Sequence, residues 1–192
     1  MEATLLVEIL TEELPPRSLK DFDVSFCSWL FEELAKLKLA ARTVVPRHYA
    51  TPRRLAAVIP NVLDRVAGEQ KEIAGPSIKV GLDANGQPTQ ALIGFAKRTG
   101  VTVESLERRN TPKGEVFVAR VVTGEVTLDA VLAKLVEKAL ERLPIPKLMR
   151  WGDGDAQFVR PVHRLVMLHG ERVVPGNVLG LASGNRTRGH RF

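Results

Sequence analysis

The chain has 192 residues, 44% of them hydrophobic and 26% charged, with a net charge of +6 and a pI near 9.8. That balance fits a folded globular protein, while the single Cys27 excludes an internal disulfide and the four histidines offer no Cys/His zinc spacing. No apolar run reaches membrane-spanning length, and Glu2 and Glu8 stand where a secretory signal would be basic, so the reading is a cytoplasmic protein without a membrane partner.

The opening LLVEIL is a short apolar run rich in β-formers and predicts a buried strand, stopped by Pro15 and Pro16. After Ser18, a candidate N-cap with Asp21 three residues on, Phe22, Phe26, Leu30, Leu34 and Leu37 recur at helical spacing, which predicts a helix to about Ala41. Cys27 falls inside this pattern between Phe26 and Trp29 and reads as a buried small hydrophobe. TVVPRHYA and LAAVIPNVL then flank Thr51-Pro52-Arg53-Arg54, which predicts an antiparallel pair with both arginines at its connection.

The stretch GPSIKVGLDANGQPT is rich in turn residues, with Asn85-Gly86 as a tight-turn dipeptide. A shorter helix is predicted from near Thr89 to Gly100, with Leu92, Phe95 and Ala96 on its inner side. A strand over EVFVARVV leads to a helix from about Leu128 to Arg142, striped by Val131, Leu132, Leu135, Val136, Ala139 and Leu140 and ended by Pro144 and Pro146. FVRPV, HRLVMLHG and RVVPGNVLG return as β segments. The fold class is therefore α+β, with mixed, mostly antiparallel sheets packed against about three helices in one or two subdomains, and a possible division near 75–86.

The charge is unevenly placed. Residues 143–192 hold 8 Lys/Arg against 3 Asp/Glu, while the first 142 hold 20 against 19. Cations on proline-stiffened turns beside Trp151 and Phe158 offer phosphate-binding charge and stacking surface together, which suits a structured RNA or a nucleotide. The candidate RNA-binding residues are Arg53, Arg54, Lys147, Arg150, Trp151, Arg160, His163, Arg188, His190 and Arg191. Each has a plainer reading beside it: an arginine at the turn pairs with a nearby carboxylate, and Trp151 covers the core. Glu8, Glu12 and Glu13 form an acidic start that either receives a basic surface or, on the slightly favoured reading, suits the N-terminus of the following helix.

No phosphate loop, dinucleotide fingerprint, HExxH or GxSxG occurs, so no catalytic residue is assigned. Asp153 and Asp155 around Gly154 read as a solvated turn ahead of a Mg²⁺ site. His163 and His169 share a strand face, but six residues of strand separate them by roughly 20 Å, too far for one metal. No metal ligands are assigned.

LLVEILTEELPPRSL, ATPRRLA, GPSIKVGLDANGQPTQALIGFAKRTGV, PIPKLMRWGDGDAQFVRPVH and TRGHRF together resemble, in order and over the whole chain, the β-subunit family of the bacterial two-subunit glycyl-tRNA synthetases. Leu10, Gly81-Leu82 and Arg164 depart from the family's usual glycine, Ala-Phe and aromatic. The resemblance implies an N-terminal fragment of a non-catalytic, tRNA-binding subunit that is inactive alone and carries no cofactor. It implies a catalytic α subunit, an α2β2 assembly and tRNA(Gly) as partners, with ATP and Mg²⁺ used through the α subunit. Two roles follow for the fragment: contact with tRNA, or docking of the α subunit without RNA contact.

Overall fold

A computed structural model describes all residues except 69, 84, 112–113, 123, 146, 152–155 and 190–192. In chain order the described elements begin with strand β1 (Glu2–Thr11), helix α1 (Leu19–Lys36), and strands β2 (Arg47–Thr51), β3 (Arg54–Leu63), β4 (Arg65–Val66) and β5 (Gln70–Ser77). Helices α2 (Ile78–Gly81) and α3 (Gln90–Thr99) follow, then strands β6 (Glu107–Thr111), β7 (Gly114–Val122) and β8 (Val126–Thr127) and helix α4 (Leu128–Glu141). The remaining strands are β9 (Met149–Arg150), β10 (Gln157–Phe158), β11 (Val162–His169), β12 (Arg172–Val173), β13 (Asn177–Val178) and β14 (Leu181–Gly184). The α+β class stands. The chain divides into two compact units, one made of Met1–Val66 and Val126–Phe192, the other of Ala67–Glu125, in which residues 75–86 lie.

The first unit is a seven-stranded sheet in the order β13-β14-β11-β1-β3-β2, with β12 beside β11. Its pairs are antiparallel except β11 with β14. Alternation along the strands sends Leu5, Val7 and Ile9 of β1, Leu55, Ala57 and Ile59 of β3, and Leu165 and Met167 of β11 into one core. There they meet Phe22, Phe26, Leu30 and Leu34 of α1 and Leu132, Val136 and Ala139 of α4. Each Val, Leu, Ile, Phe or Met among them contributes about 1.5–3 kcal/mol by leaving water. Leu6, Glu8 and Leu10 occupy the opposite face of β1.

The structure corrects the first helix at both ends. Ser18 stands at the N-cap position but makes no side-chain capping bond, because a 3-10 turn over Pro16–Ser18 precedes it. The helix ends at Lys36 rather than near Ala41. Lys38 takes a left-handed conformation (φ 60°) and the Leu39 N–H bonds back to the Leu34 carbonyl at 2.9 Å. This reversal buries Leu39 in the core and lets Ala40 bridge Val62. Cys27 is buried as expected, with its Sγ 3.6 Å from the Arg47 carbonyl. Burial, and secondarily the Asp23 charge, push its thiol up to about 11.

The second unit is a three-stranded antiparallel sheet, β5-β7-β6, carrying α2 and α3. Helix α3 runs from Gln90 to Thr99, with Thr89 before it, Gly100 in the left-handed region after it, and Leu92, Phe95 and Ala96 buried. The Asp83 carboxylate accepts the Asn85 and Gln87 N–H groups and so fixes the Asn85-Gly86 turn.

Candidate interaction surface

Sheet order creates the site. Because β1 lies between β11 and β3, the acidic loop leaving β1 falls between two basic loops, Pro52-Arg53 on one side and Arg160-Pro161 on the other. Thr51 pairs with Arg54, so β2 and β3 are joined by a two-residue turn. The Thr11 N–H donates to the Arg53 carbonyl at 3.0 Å, and Leu14 N–H to the Pro52 carbonyl at 2.6 Å. On the opposite side Glu12 N–H donates to the Pro161 carbonyl at 2.9 Å. These backbone bonds hold the acidic loop against both neighbours before any side chain is considered.

The side chains then pair. Arg53 Nη2 donates to Glu13 Oε1 at 3.0 Å, and His163 Nε2 lies 2.7 Å from Glu12 Oε1. Arg54 Nη1 lies 3.6 Å from Glu8 Oε2, while its Nη2 donates to the Arg188 carbonyl. The Thr187 hydroxyl donates to Glu8 Oε1, so residues 187–188 are tied to β1 and β3. Arg160 Nε donates to the Glu13 carbonyl at 2.9 Å, and its Nη1 to the Val159 carbonyl at 3.0 Å and to Met149 Sδ at 3.4 Å. Arg53 and Glu13 are both exposed, so their pair contributes at most about 1 kcal/mol. Glu8 is only 8% exposed, which makes its two partners matter more. A shallow pocket of about 550 Å³ opens here, lined by Glu12, Glu13, Pro15, Pro16, Pro52 and Arg160 over the buried Leu14.

Five of the expected residues thus come together: Arg53, Arg54, Arg160, His163 and Arg188. Arg150 lies on β9, which pairs with β10 and reaches the cluster through the neighbouring Met149. Lys147 is exposed and is not tied to the cluster. Trp151 is half-buried and packs against the core. His190, Arg191, Asp153 and Asp155 lie outside the described residues. Glu8 and Glu13 face the guanidinium groups of Arg54 and Arg53, and Glu12 faces the His163 ring, so the helix-entry reading of this acidic start is replaced by one of side-chain pairing. Thr187 was not among the expected residues; only its place within the TRGHRF block signalled it.

His169 is fully buried, and its Nε2 donates to the Val62 carbonyl at 2.7 Å, an ordinary hydrogen-bonding role. Among the described residues no group of three or more His, Cys, Asp or Glu could hold a metal. No described helix is long and apolar enough to cross a membrane.

The family model described as "Glycyl-tRNA synthetase beta subunit" matches residues 5–192. The glycine–tRNA ligase beta subunit of Aromatoleum aromaticum is 48% identical over 99% of this chain and 28% of its own length. The corresponding subunits of Yersinia enterocolitica and Escherichia coli O1:K1 are 46% and 45% identical over 100% of this chain and 27% of theirs. The chain therefore spans about a quarter of the length of these relatives.

Proposed function

Since the chain belongs to the glycyl-tRNA synthetase beta subunit family, we propose that it is a non-catalytic N-terminal part of such a subunit whose first unit docks the catalytic α subunit. In this reading it supports ATP-dependent attachment of glycine to tRNA(Gly) within a cytoplasmic α2β2 assembly. ATP and Mg²⁺ act in the α subunit, and the chain alone is inactive.

One observation carries the docking role: Arg53, Arg54 and His163 already face carboxylates, and Arg160 is held by two carbonyls. A phosphate would have to displace these intramolecular partners, whereas a protein surface can close over them and use the proline-walled pocket. Met149, which touches Arg160, and its chain neighbour Leu148 are both exposed, the kind of apolar contribution that protein interfaces favour.

The test is charge reversal of Arg150 and Arg160 in the complete β subunit, with assembly read by analytical ultracentrifugation and RNA affinity by filter retention. Association with the α subunit should weaken at least about tenfold while RNA affinity stays level. Intact assembly with lost RNA affinity would overturn the proposal. That outcome would support RNA contact instead, a reading favoured by the exposed guanidinium of Arg188, whose carbonyl alone is engaged in the cluster.

A further inference from the structure

In the second unit, strand register sorts the cations into two sets. Val116, Val118 and Arg120 of β7 share one face of the sheet with Glu72 of β5 and with Glu107 and Arg109 of β6. Those four charged residues form one compensated network. Arg109 Nη2 donates to Glu72 Oε1 at 2.7 Å, and Arg120 lies 3.5 Å from Glu72 and 3.0 Å from Glu107. The Arg109 hydrogen bond holds the Glu72 carboxyl below its ordinary value.

The opposite face carries Phe117, Ala119 and Val121, opposed by Arg108, Ile73 and Lys71. The helices pack on this side: a Cβ on Gly81 of α2 would lie 2.7 Å from the Phe117 ring, and one on Gly75 of β5 would lie 2.5 Å from the Phe95 ring of α3. Lys71, Lys79, Lys97, Arg98 and Arg108 belong to this side and are all exposed. None is within ion-pairing distance of a carboxylate among the described residues. The Arg98 guanidinium carbon lies 5.8 Å from the centre of the Phe95 ring, and that of Arg108 5.9 Å from Phe117. A ring beneath the guanidinium limits its rotamers without consuming its N–H donors, which remain for an incoming phosphate. Among the described residues the opposing charges here are Glu104, Glu115 and Asp83, the last occupied by its own turn.

We infer that the helix-bearing side of residues 67–125 binds the phosphate backbone of RNA through Lys71, Lys79, Lys97, Arg98 and Arg108. Its residues belong to the second unit, whereas those of the docking cluster belong to the first, and the inference does not rest on the docking role. Both rings are 4% exposed, so contact is with phosphates rather than by base stacking, and it is independent of sequence.

The test is fluorescence anisotropy of a labelled RNA stem-loop with this chain, titrated across KCl concentrations. Each phosphate contact contributes roughly 0.7 to 0.9 to the slope of log affinity against log salt. Arg98→Gln with Arg108→Gln should therefore lower the slope by about 1.5 and weaken binding about tenfold at low salt. Lys79→Gln with Lys97→Gln, which leaves both ring contacts intact, should do the same even if the arginine pair unfolds the unit. Arg109→Gln with Arg120→Gln, on the other face, should change RNA affinity by less than about twofold. Equal weakening by that last pair, unchanged binding in both helix-side pairs, or competition by polyglutamate as strong as by RNA would overturn the assignment. Association with the α subunit should be unaffected by all three pairs, which keeps this test distinct from that of docking.

Discussion

Glu8→Ala should destabilise the first unit by about 2–3 kcal/mol. Glu8 sits on the central strand, opposite Ala56 of β3 and Val166 of β11, and all three are nearly buried. Truncation removes the acceptor of the Thr187 hydroxyl and the counter-charge of Arg54 together. A hydrogen bond to a charged group is worth about 1.5–3 kcal/mol. The 3.6 Å contact to the 30%-exposed Arg54 side chain adds at most about 1 kcal/mol. Glu8→Gln keeps an acceptor for Thr187 and should cost only about 1 kcal/mol. Urea denaturation followed by tryptophan fluorescence reads this directly, because Trp29 and Trp151 both lie in the first unit. A cycle with Thr187→Val should show coupling near 1 kcal/mol, and trypsin should cut after Arg186 or Arg188 faster in Glu8→Ala. A loss below about 0.5 kcal/mol, or strict additivity with Thr187→Val, would refute the claim that Glu8 ties residues 187–188 to the sheet.

The Cys27 thiol sits above its unfolded value of 9.0, so its contribution is complete below about pH 9 and is lost as pH rises towards about 11. The full loss is on the order of 2–3 kcal/mol, visible as a steeper fall in alkaline stability of the parent chain than of Cys27→Ala. If the two chains lose stability in parallel, the thiol is not the cause. Gly176→Ala would place a Cβ 2.7 Å from that of Ala133 on α4 and 2.8 Å from Met167 Cε. Met167 can swing away but Ala133 cannot, so a cost of about 1–3 kcal/mol is expected in urea denaturation, and an unchanged midpoint would mean the loop shifts freely.

Where local pattern and burial coincide, the sequence was readable. Helix α4 and α3 carry complete apolar stripes, and α3 has Gly100 to end it, so their extents follow from spacing. Helix α1 was overextended because Leu37 continues the period while Lys38 reverses the backbone, and a lysine gives no warning of left-handed geometry. Strand β6, ERRNT, is almost wholly exposed and has no alternation to read; it exists because its backbone pairs with β7. The cations at the first site were visible individually, and so was the acidic loop. Their convergence was not, because it follows from β1 taking the central place between strands distant in sequence.

The short β4–β8 pair, Arg65 opposite Thr127 and Val66 opposite Val126, pins together the two points where the chain leaves and re-enters the first unit. Closing β1 onto β11 spans roughly 160 residues, and shortening that span by the roughly 60 between the pinned strands changes the closure entropy by only about 0.4 kcal/mol. The host sheet is therefore almost indifferent to the length of what it carries at that point. Insertions or deletions beyond the pinned pair can accumulate in the second unit with little thermodynamic penalty to the first.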